Sequence, residues 1–286
     1  MNTPGVFPTS SGKSHALCLL KGKPNLTISA NPSHWFRTFG TTPDPAARLV
    51  CFPHAGGSAT YFRPLWSALP ASIQLESVQY PGRQDRRNEP FADTVTGLAG
   101  LITNAFEWRD DVPTAFFGHS MGATVAFEVA RRLEQRGRNL LVLFASGRRA
   151  PTFSPSDPVR LDTDADVLAE LRRLGGTDAA LLDDDDVMQM ILPAVRNDYQ
   201  AAEAYRYQPG PSVSCPIVAL HGSDDCRVSS VEADGWRNHT SDTSFRYELN
   251  GGHFYLDTEY SAVARLVEQH LGVTPEGHTR QSDVHA

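Results

Sequence analysis

Short apolar runs recur along the chain, and stretches with an apolar residue every three or four positions lie between them. Runs at 49–52, 74–78, 114–117, 140–145, 217–220 and 245–249 predict six strands. Most are apolar at consecutive positions, the pattern of strands covered on both faces of a parallel sheet. Residues 95–106, 123–135 and 261–271 predict helices. In the second of these, Val125, Ala126, Val129, Ala130 and Leu133 keep helical spacing, and Gly137 ends it. Alternation of strand and helix predicts an α/β fold with a mostly parallel, doubly wound sheet.

Residues 148–208 break that alternation, with two helical patterns and no strand between them. One carries Val167, Leu168, Leu171 and Leu174 and stops at Gly175-Gly176. The other follows Asp183-Asp184-Asp185-Asp186 and runs through Val187, Ile191, Val195, Tyr199 and Ala202. Four carboxylates at a helix start complement its dipole, so the acidic run reads as a solvated N-terminus rather than a metal site. Pro193 is expected to kink or split this helix. A helical insertion of this kind predicts a lid over the carboxyl edge of the sheet.

Residues 1–33, rich in Ser, Thr, Pro and Gly, predict a disordered extension. A domain at 34–272 and a flexible tail at 273–286 complete the expected organisation. Gly12-Lys13-Ser14 has the end of a P-loop, but Phe7 stands where that motif needs glycine, and no strand precedes it.

Composition narrows the function. The chain has 286 residues, 40% hydrophobic and 21% charged, with a formal net charge of −7, so a chain-wide nucleic-acid footprint is not expected. All three lysines (Lys13, Lys21, Lys23) precede the predicted domain, where every basic residue is arginine. Cys18, Cys51, Cys215 and Cys226 show neither C-x-x-C nor zinc-finger spacing, which predicts a reduced, cytoplasmic setting. No apolar run approaches the roughly 18 residues of a membrane span, so no membrane association is expected.

The chemistry centres on Gly118-His119-Ser120-Met121-Gly122, a G-x-S-x-G sequence between a strand and a helix. That is where the nucleophile elbow of α/β-hydrolases sits, with the serine hydroxyl raised above the sheet edge. A serine needs a base, and the base an orienting acid. His221-Gly222-Ser223-Asp224-Asp225 and Gly251-Gly252-His253 follow the fifth and sixth strands in the hydrolase order of serine, acid, histidine. His253 is the expected base. Asp225 is the expected acid, although spacing alone barely separates it from Asp224. The unused one of the two is expected to cap the turn. The oxyanion donors are expected from the backbones of Met121 and of Ala55, in the loop Phe52-Pro53-His54-Ala55-Gly56-Gly57. His54 itself reads as a packing or loop-ordering residue.

These motifs, with Tyr80-Pro81-Gly82-Arg83 and with Val228, Trp236 and Phe254 in place, resemble the type II thioesterases of polyketide synthases and nonribosomal peptide synthetases. The resemblance runs from about Trp35 to Leu271. It implies an α/β-hydrolase fold with an inserted helical lid, and hydrolysis of stalled or wrong acyl groups from the phosphopantetheine arm of acyl or peptidyl carrier proteins. It implies no metal or organic cofactor, and a monomer. The family pattern G-D-x-D-x-x-V places the acid at Asp225. Ser223 and Cys226 depart from the family's usual Asp and Pro, outside the triad. Met188, Met190 and Ile191 of the lid are expected near the acyl pocket, because flexible methionines suit varied chains. Arg86 and Arg87, with Arg83, or else Arg148-Arg149, are candidates to meet the arm's phosphate, against internal pairing with Asp85, Glu89 or lid acids. A small-molecule esterase or lipase, and a product-releasing thioesterase, are the rival readings on this scaffold.

Overall fold

Seven strands form one sheet in the order β1-β3-β2-β4-β5-β6-β7 in the computed structural model, which describes residues 28–29, 31–153, 161, 163–176 and 182–273. They are β1 (Phe36–Thr38), β2 (Ala47–Phe52), β3 (Ile73–Val78), β4 (Thr114–His119), β5 (Leu143–Ser146), β6 (Ile217–Gly222) and β7 (Ser244–Leu249). All neighbours are parallel except β1, which runs antiparallel along β3.

The apolar runs work as expected. Successive side chains of a strand face opposite sides, so a strand apolar at every position feeds two cores. In β2, Val50 and Phe52 enter one cluster while Leu49 and Cys51 enter the other. In β4, Phe116 joins the first, and Ala115 and Phe117 the second. Helices α3 (Val95–Ala105) and α4 (Met121–Glu134) cover the first face. Helices α2 (Arg63–Ala68) and α8 (Leu256–Leu271) cover the second.

Four features differ from expectation, among them the last helix, expected from 261, which starts at Leu256. The fifth strand starts at Leu143, not 140. Leu140 and Val142 are buried and the main chain already bonds β4 at Leu141 and Val142, but the regular ladder begins only at Leu143. Strand β1 was not foreseen, because three residues reading Phe-Arg-Thr carry no apolar run. The ordered core also begins before residue 34. Ile28 packs on it, the Ser29 N–H bonds Glu89 at 2.8 Å, and Asn31 caps the short helix α1 (Pro32–Trp35), whose Trp35 is fully buried. The rest of the expected disordered extension, residues 1–27 and 30, and tail residues 274–286 lie outside the described residues.

The lid holds α5 (Asp164–Leu174) and α6 (Asp185–Ala204). A capping box of Thr163 and Asp166 starts α5, and Gly175 at φ 71° ends it. The acidic run starts α6, with the Asp184 carboxylate accepting from the N–H groups of Asp186 and Val187. Pro193 does not split α6, which continues to Ala204. Proline denies its partner carbonyl, that of Gln189, a donor; both residues are exposed, so water can take the bond. Leu161, Val167, Leu171, Leu182, Met188, Leu192 and Val195 give the lid its own small core. Helix α7 (Ser230–Asp234) follows β6. Among the described residues no helix is long and apolar enough to cross a membrane.

Candidate active site

Strand β4 delivers its chain to Ser120 and α4 begins at the next residue. Ser120 has φ 54° and ψ −121°, a conformation that L-residues rarely adopt. Both flanking glycines are forced by contact. A Cβ on Gly118 would lie 2.3 Å from the Gly122 carbonyl oxygen, and one on Gly122 would lie 2.0 Å from that of Phe52. The Ser120 N–H donates to the Ser146 carbonyl of β5 at 2.8 Å, which ties the elbow to the neighbouring strand.

His253 and Asp225 arrive from the turns after β7 and β6. His253 Nε2 lies 3.0 Å from Ser120 Oγ, and its Nδ1 lies 3.0 and 3.1 Å from the two Asp225 oxygens. The Asp225 side chain is fully buried and that of His253 is 4% exposed. The ambiguity between the two aspartates is resolved by position: Asp224 turns away and accepts from the Ser223 hydroxyl at 3.0 Å. The turn-capping bond expected of the unused aspartate belongs instead to Asp225, whose Oδ1 also accepts the Arg227 N–H at 2.8 Å.

Two more histidines surround this set, and neither ring reaches the Ser120 hydroxyl as His253 does. His54 is half-buried with its Nδ1 enclosed, and its ring centroid lies 4.4 Å from that of Tyr61 and 4.9 Å from that of Phe254. Burial first, then the nearby His253, pulls its pKa down to about 3. His119 is held well below the usual histidine range by burial, then by His253 and His54. Its Nδ1 meets the Ser146 hydroxyl at 2.9 Å, and that hydroxyl meets Tyr255 Oη at 2.5 Å. Both rings are neutral at pH 7, so His253 faces no competing cation from them. The reading of His54 as a packing residue agrees with this placement.

A cavity of about 240 Å³ opens above Ser120 and His253, and Ala55 and Met121 line it too. Met121 is the first residue of α4, and the first N–H groups of a helix have no acceptor within it. An oxygen held beside Ser120 would meet a helix N-terminus that favours negative charge. The farther wall is polar. Arg148, Arg149 and Arg227 contribute, with Tyr199, Glu203 and Tyr205. Burial pulls Arg148 down to about 10, which leaves it charged at neutral pH. Its Nε donates to the Thr124 hydroxyl at 3.0 Å.

Other expected binding residues lie elsewhere. None of Met188, Met190 and Ile191 lines the cavity. Met188 is 4% exposed in the lid's own core, Ile191 packs against that core, and Met190 is 67% exposed on the outer surface. Their helical spacing reported lid packing. Arg86 is 2% exposed, pairs with Glu89 and stacks 4.0 Å from the Trp35 ring centroid, so it is a structural cation. Arg87 is exposed and does not line the cavity. Of the two arginine clusters, only Arg148-Arg149 borders it.

Sequence reading allowed for pairing with lid acids but named no partner across the lid and these loops. Arg83 is buried and paired with Asp198 of α6, 115 residues away. Glu170 of α5 pairs with Arg227, two residues beyond Asp225, and with Arg173. Nothing local marks either pair. Among the described residues no group of three or more His, Cys, Asp or Glu side chains is placed to hold a metal ion.

A model of the thioesterase domain family matches residues 47–271. Thioesterase PikA5 of Streptomyces venezuelae is 47% identical over 249 residues, which span 86% of this chain and 89% of that protein. A probable cadicidin biosynthesis thioesterase of Streptomyces griseus is 41% identical over 88% of this chain and 70% of its own. The solved structure of BorB, a type II thioesterase from the borrelidin biosynthetic cluster, superposes with a TM-score of 0.78 at 43% identity. It covers 83% of this chain and 98% of that one.

Proposed function

The chain belongs to the thioesterase family, and on that premise we propose that it is a type II thioesterase that clears stalled or wrong acyl groups from carrier proteins of a polyketide or nonribosomal peptide pathway. The observation that carries the chemistry is the Ser120–His253–Asp225 relay, with gaps of 3.0 Å at each step, beneath one cavity that Ala55 and Met121 also line.

The steps follow from that relay. His253 Nε2 takes the Ser120 proton as Oγ attacks the thioester carbon. Asp225 holds the imidazole by its Nδ1–H and stabilises the imidazolium. The carbonyl oxygen becomes an oxyanion facing the Met121 and Ala55 N–H groups. The carbon–sulfur bond breaks, and His253 returns the proton to the departing pantetheine thiolate. His253 then deprotonates a water that attacks the acyl-serine ester, and Ser120 recovers its proton as the acid leaves. The chain's own residues supply every proton transfer.

The cavity of about 240 Å³ has room for a short acyl unit beside Ser120 and His253. Arg148 and Arg149 border the route by which a phosphopantetheine arm would enter, and a guanidinium suits its phosphate.

The test is mass spectrometry of a panel of acyl-loaded carrier proteins, with and without enzyme. Deacylation of short acyl carriers is expected, together with slower turnover of a simple oxoester of the same chain. A faster oxoester would favour the esterase reading. Ser120→Ala is expected to abolish both turnover and labelling by a fluorophosphonate; retained turnover would remove Ser120 as nucleophile.

A further inference from the structure

One lid side chain reaches the main chain of the oxyanion loop. Asp198 is 3% exposed, and its Oδ2 accepts the Gly56 N–H at 2.8 Å across 142 residues of sequence. Both its oxygens are also held by Arg83, with Nη2–Oδ1 at 3.0 Å. Arg83 in turn donates to the Gly57 carbonyl at 3.3 Å, so the guanidinium and the carboxylate grip the loop on both sides of Gly56.

The gripped peptide is the one that matters. The Gly56 N–H belongs to the peptide unit that joins it to Ala55, so fixing that N–H fixes the orientation of the plane next to the Ala55 N–H. Gly56 itself has φ +76°, and a Cβ there would lie 2.5 Å from Val195 Cγ2 of α6. Glycine leaves this backbone free to take other conformations unless something holds it. A buried ion pair is a poor source of net stability, since well-packed apolar groups usually do as well. Its value here is direction: it sets one peptide plane.

We infer that Asp198 is a positioning residue, through which the lid holds the oxyanion loop in the conformation that aims the Ala55 N–H at the reacting carbonyl. The inference rests on the reading of Ala55 as an oxyanion donor. It makes transition-state stabilisation depend on the lid being seated: with α6 displaced, Gly56 loses its acceptor and Arg83 its counter-charge.

The experiment compares wild type with Asp198→Asn, which keeps the shape, and with Arg83→Gln, which leaves the carboxylate but removes its partner. Three quantities are read: kcat and KM on an acyl-pantetheine thioester, affinity for the matching trifluoromethyl ketone, and affinity for the matching thioether. The ketone forms a tetrahedral adduct with an oxyanion; the thioether has no carbonyl. Expected for Asp198→Asn is a loss of about 10- to 100-fold in kcat, somewhat less than deletion of a donor outright, with an equal loss in ketone affinity. KM and thioether affinity should stay within about twofold, because ground-state binding makes no use of the oxyanion donor. Arg83→Gln should move the same two quantities in the same direction. The inference is overturned if kcat is unchanged in folded Asp198→Asn, if kcat falls while ketone affinity holds, or if thioether affinity falls in step with kcat, which would mark a lid-packing role alone. Wild-type ketone affinity that survives Ser120→Ala would instead sink the Ser120 reading, whatever Asp198 does.

Discussion

Ser120, Asp225 and His253 stand on turns after β4, β6 and β7, placed by main-chain geometry; Glu170 and Asp198 reach the loops beside them from α5 and α6, placed by their arginine partners Arg227 and Arg83. In the first group the positions are set by contacts of backbone on backbone, such as Gly122 against the Phe52 carbonyl. In the second they are set by a few long side chains, each of which one substitution can remove. A sheet-borne residue moves only if the sheet moves. A lid-borne residue moves when its pair breaks. One site is thus built to two tolerances, rigid below and releasable above.

The contrast can be tested from its largest effect down. Asp225→Asn should cut kcat by about four orders of magnitude, roughly 5 kcal/mol of barrier, with little change in melting temperature, since the amide keeps the shape and an acceptor for the Arg227 N–H. Kinetics beside a thermal melt check it; a loss below tenfold would break the relay. Gly122→Ala should fail differently, by unfolding. Its Cβ meets main-chain oxygen that cannot step aside, and overpacking of this kind costs about 3 kcal/mol or more, read as a lost denaturation midpoint. Glu170→Gln probes the upper tolerance. Opening of α5 should become easier by on the order of 2 kcal/mol, a rise of roughly 30-fold in its hydrogen exchange, while β4 and β6 keep their protection. If protection in the sheet fell equally, the two halves would be one unit.

Acid should act on the lower half. His54 has a folded pKa of about 3, below the unfolded value near 6.5, and His119 is lowered too. Between those values the unfolded chain binds more protons, so stability is full above about pH 6.5 and falls as pH drops toward 3, by on the order of 1 kcal/mol per pH unit for each histidine. Denaturant midpoints between pH 7 and 4.5 should show that slope, and His54→Leu should remove one histidine's share of it. An unchanged slope would clear His54 of the effect. The smallest expected effect is at Met190, 67% exposed on the lid's outer surface: Met190→Ala should stay within about 0.5 kcal/mol and leave acyl preference unaltered, as a chemical melt and a substrate panel would show.

The rigid half was also the legible half. Continuous apolar runs announced β2, β4 and β6 because a strand buried on both faces has no room for polar residues. G-x-S-x-G and the two loops with Asp225 and His253 were readable because a sharp turn needs glycine at fixed offsets. Choosing between Asp224 and Asp225 took the family pattern, since adjacent residues on one turn differ only in where their side chains point. Strand β1 left no mark, because an edge strand of three residues needs no apolar face. The lid misled twice. Met188 and Ile191 keep helical spacing for the lid's own core, and spacing does not say which body a face packs against. The Arg83–Asp198 and Arg227–Glu170 pairs close across 115 and 57 residues, and a charge in sequence carries no address for its partner.

Pro193 gives α6 a mechanical character of its own. With the Gln189 carbonyl deprived of its donor, the helical ladder has a missing rung near mid-length. A helix bends most readily where such a bond is missing. Met188 before it and Val195 after it both sit in the lid core, while Asp198 holds the Gly56 N–H of the loop below. One helix thus serves two bodies, clamped in the lid core on both sides of the missing rung and tied farther along to the loop beneath.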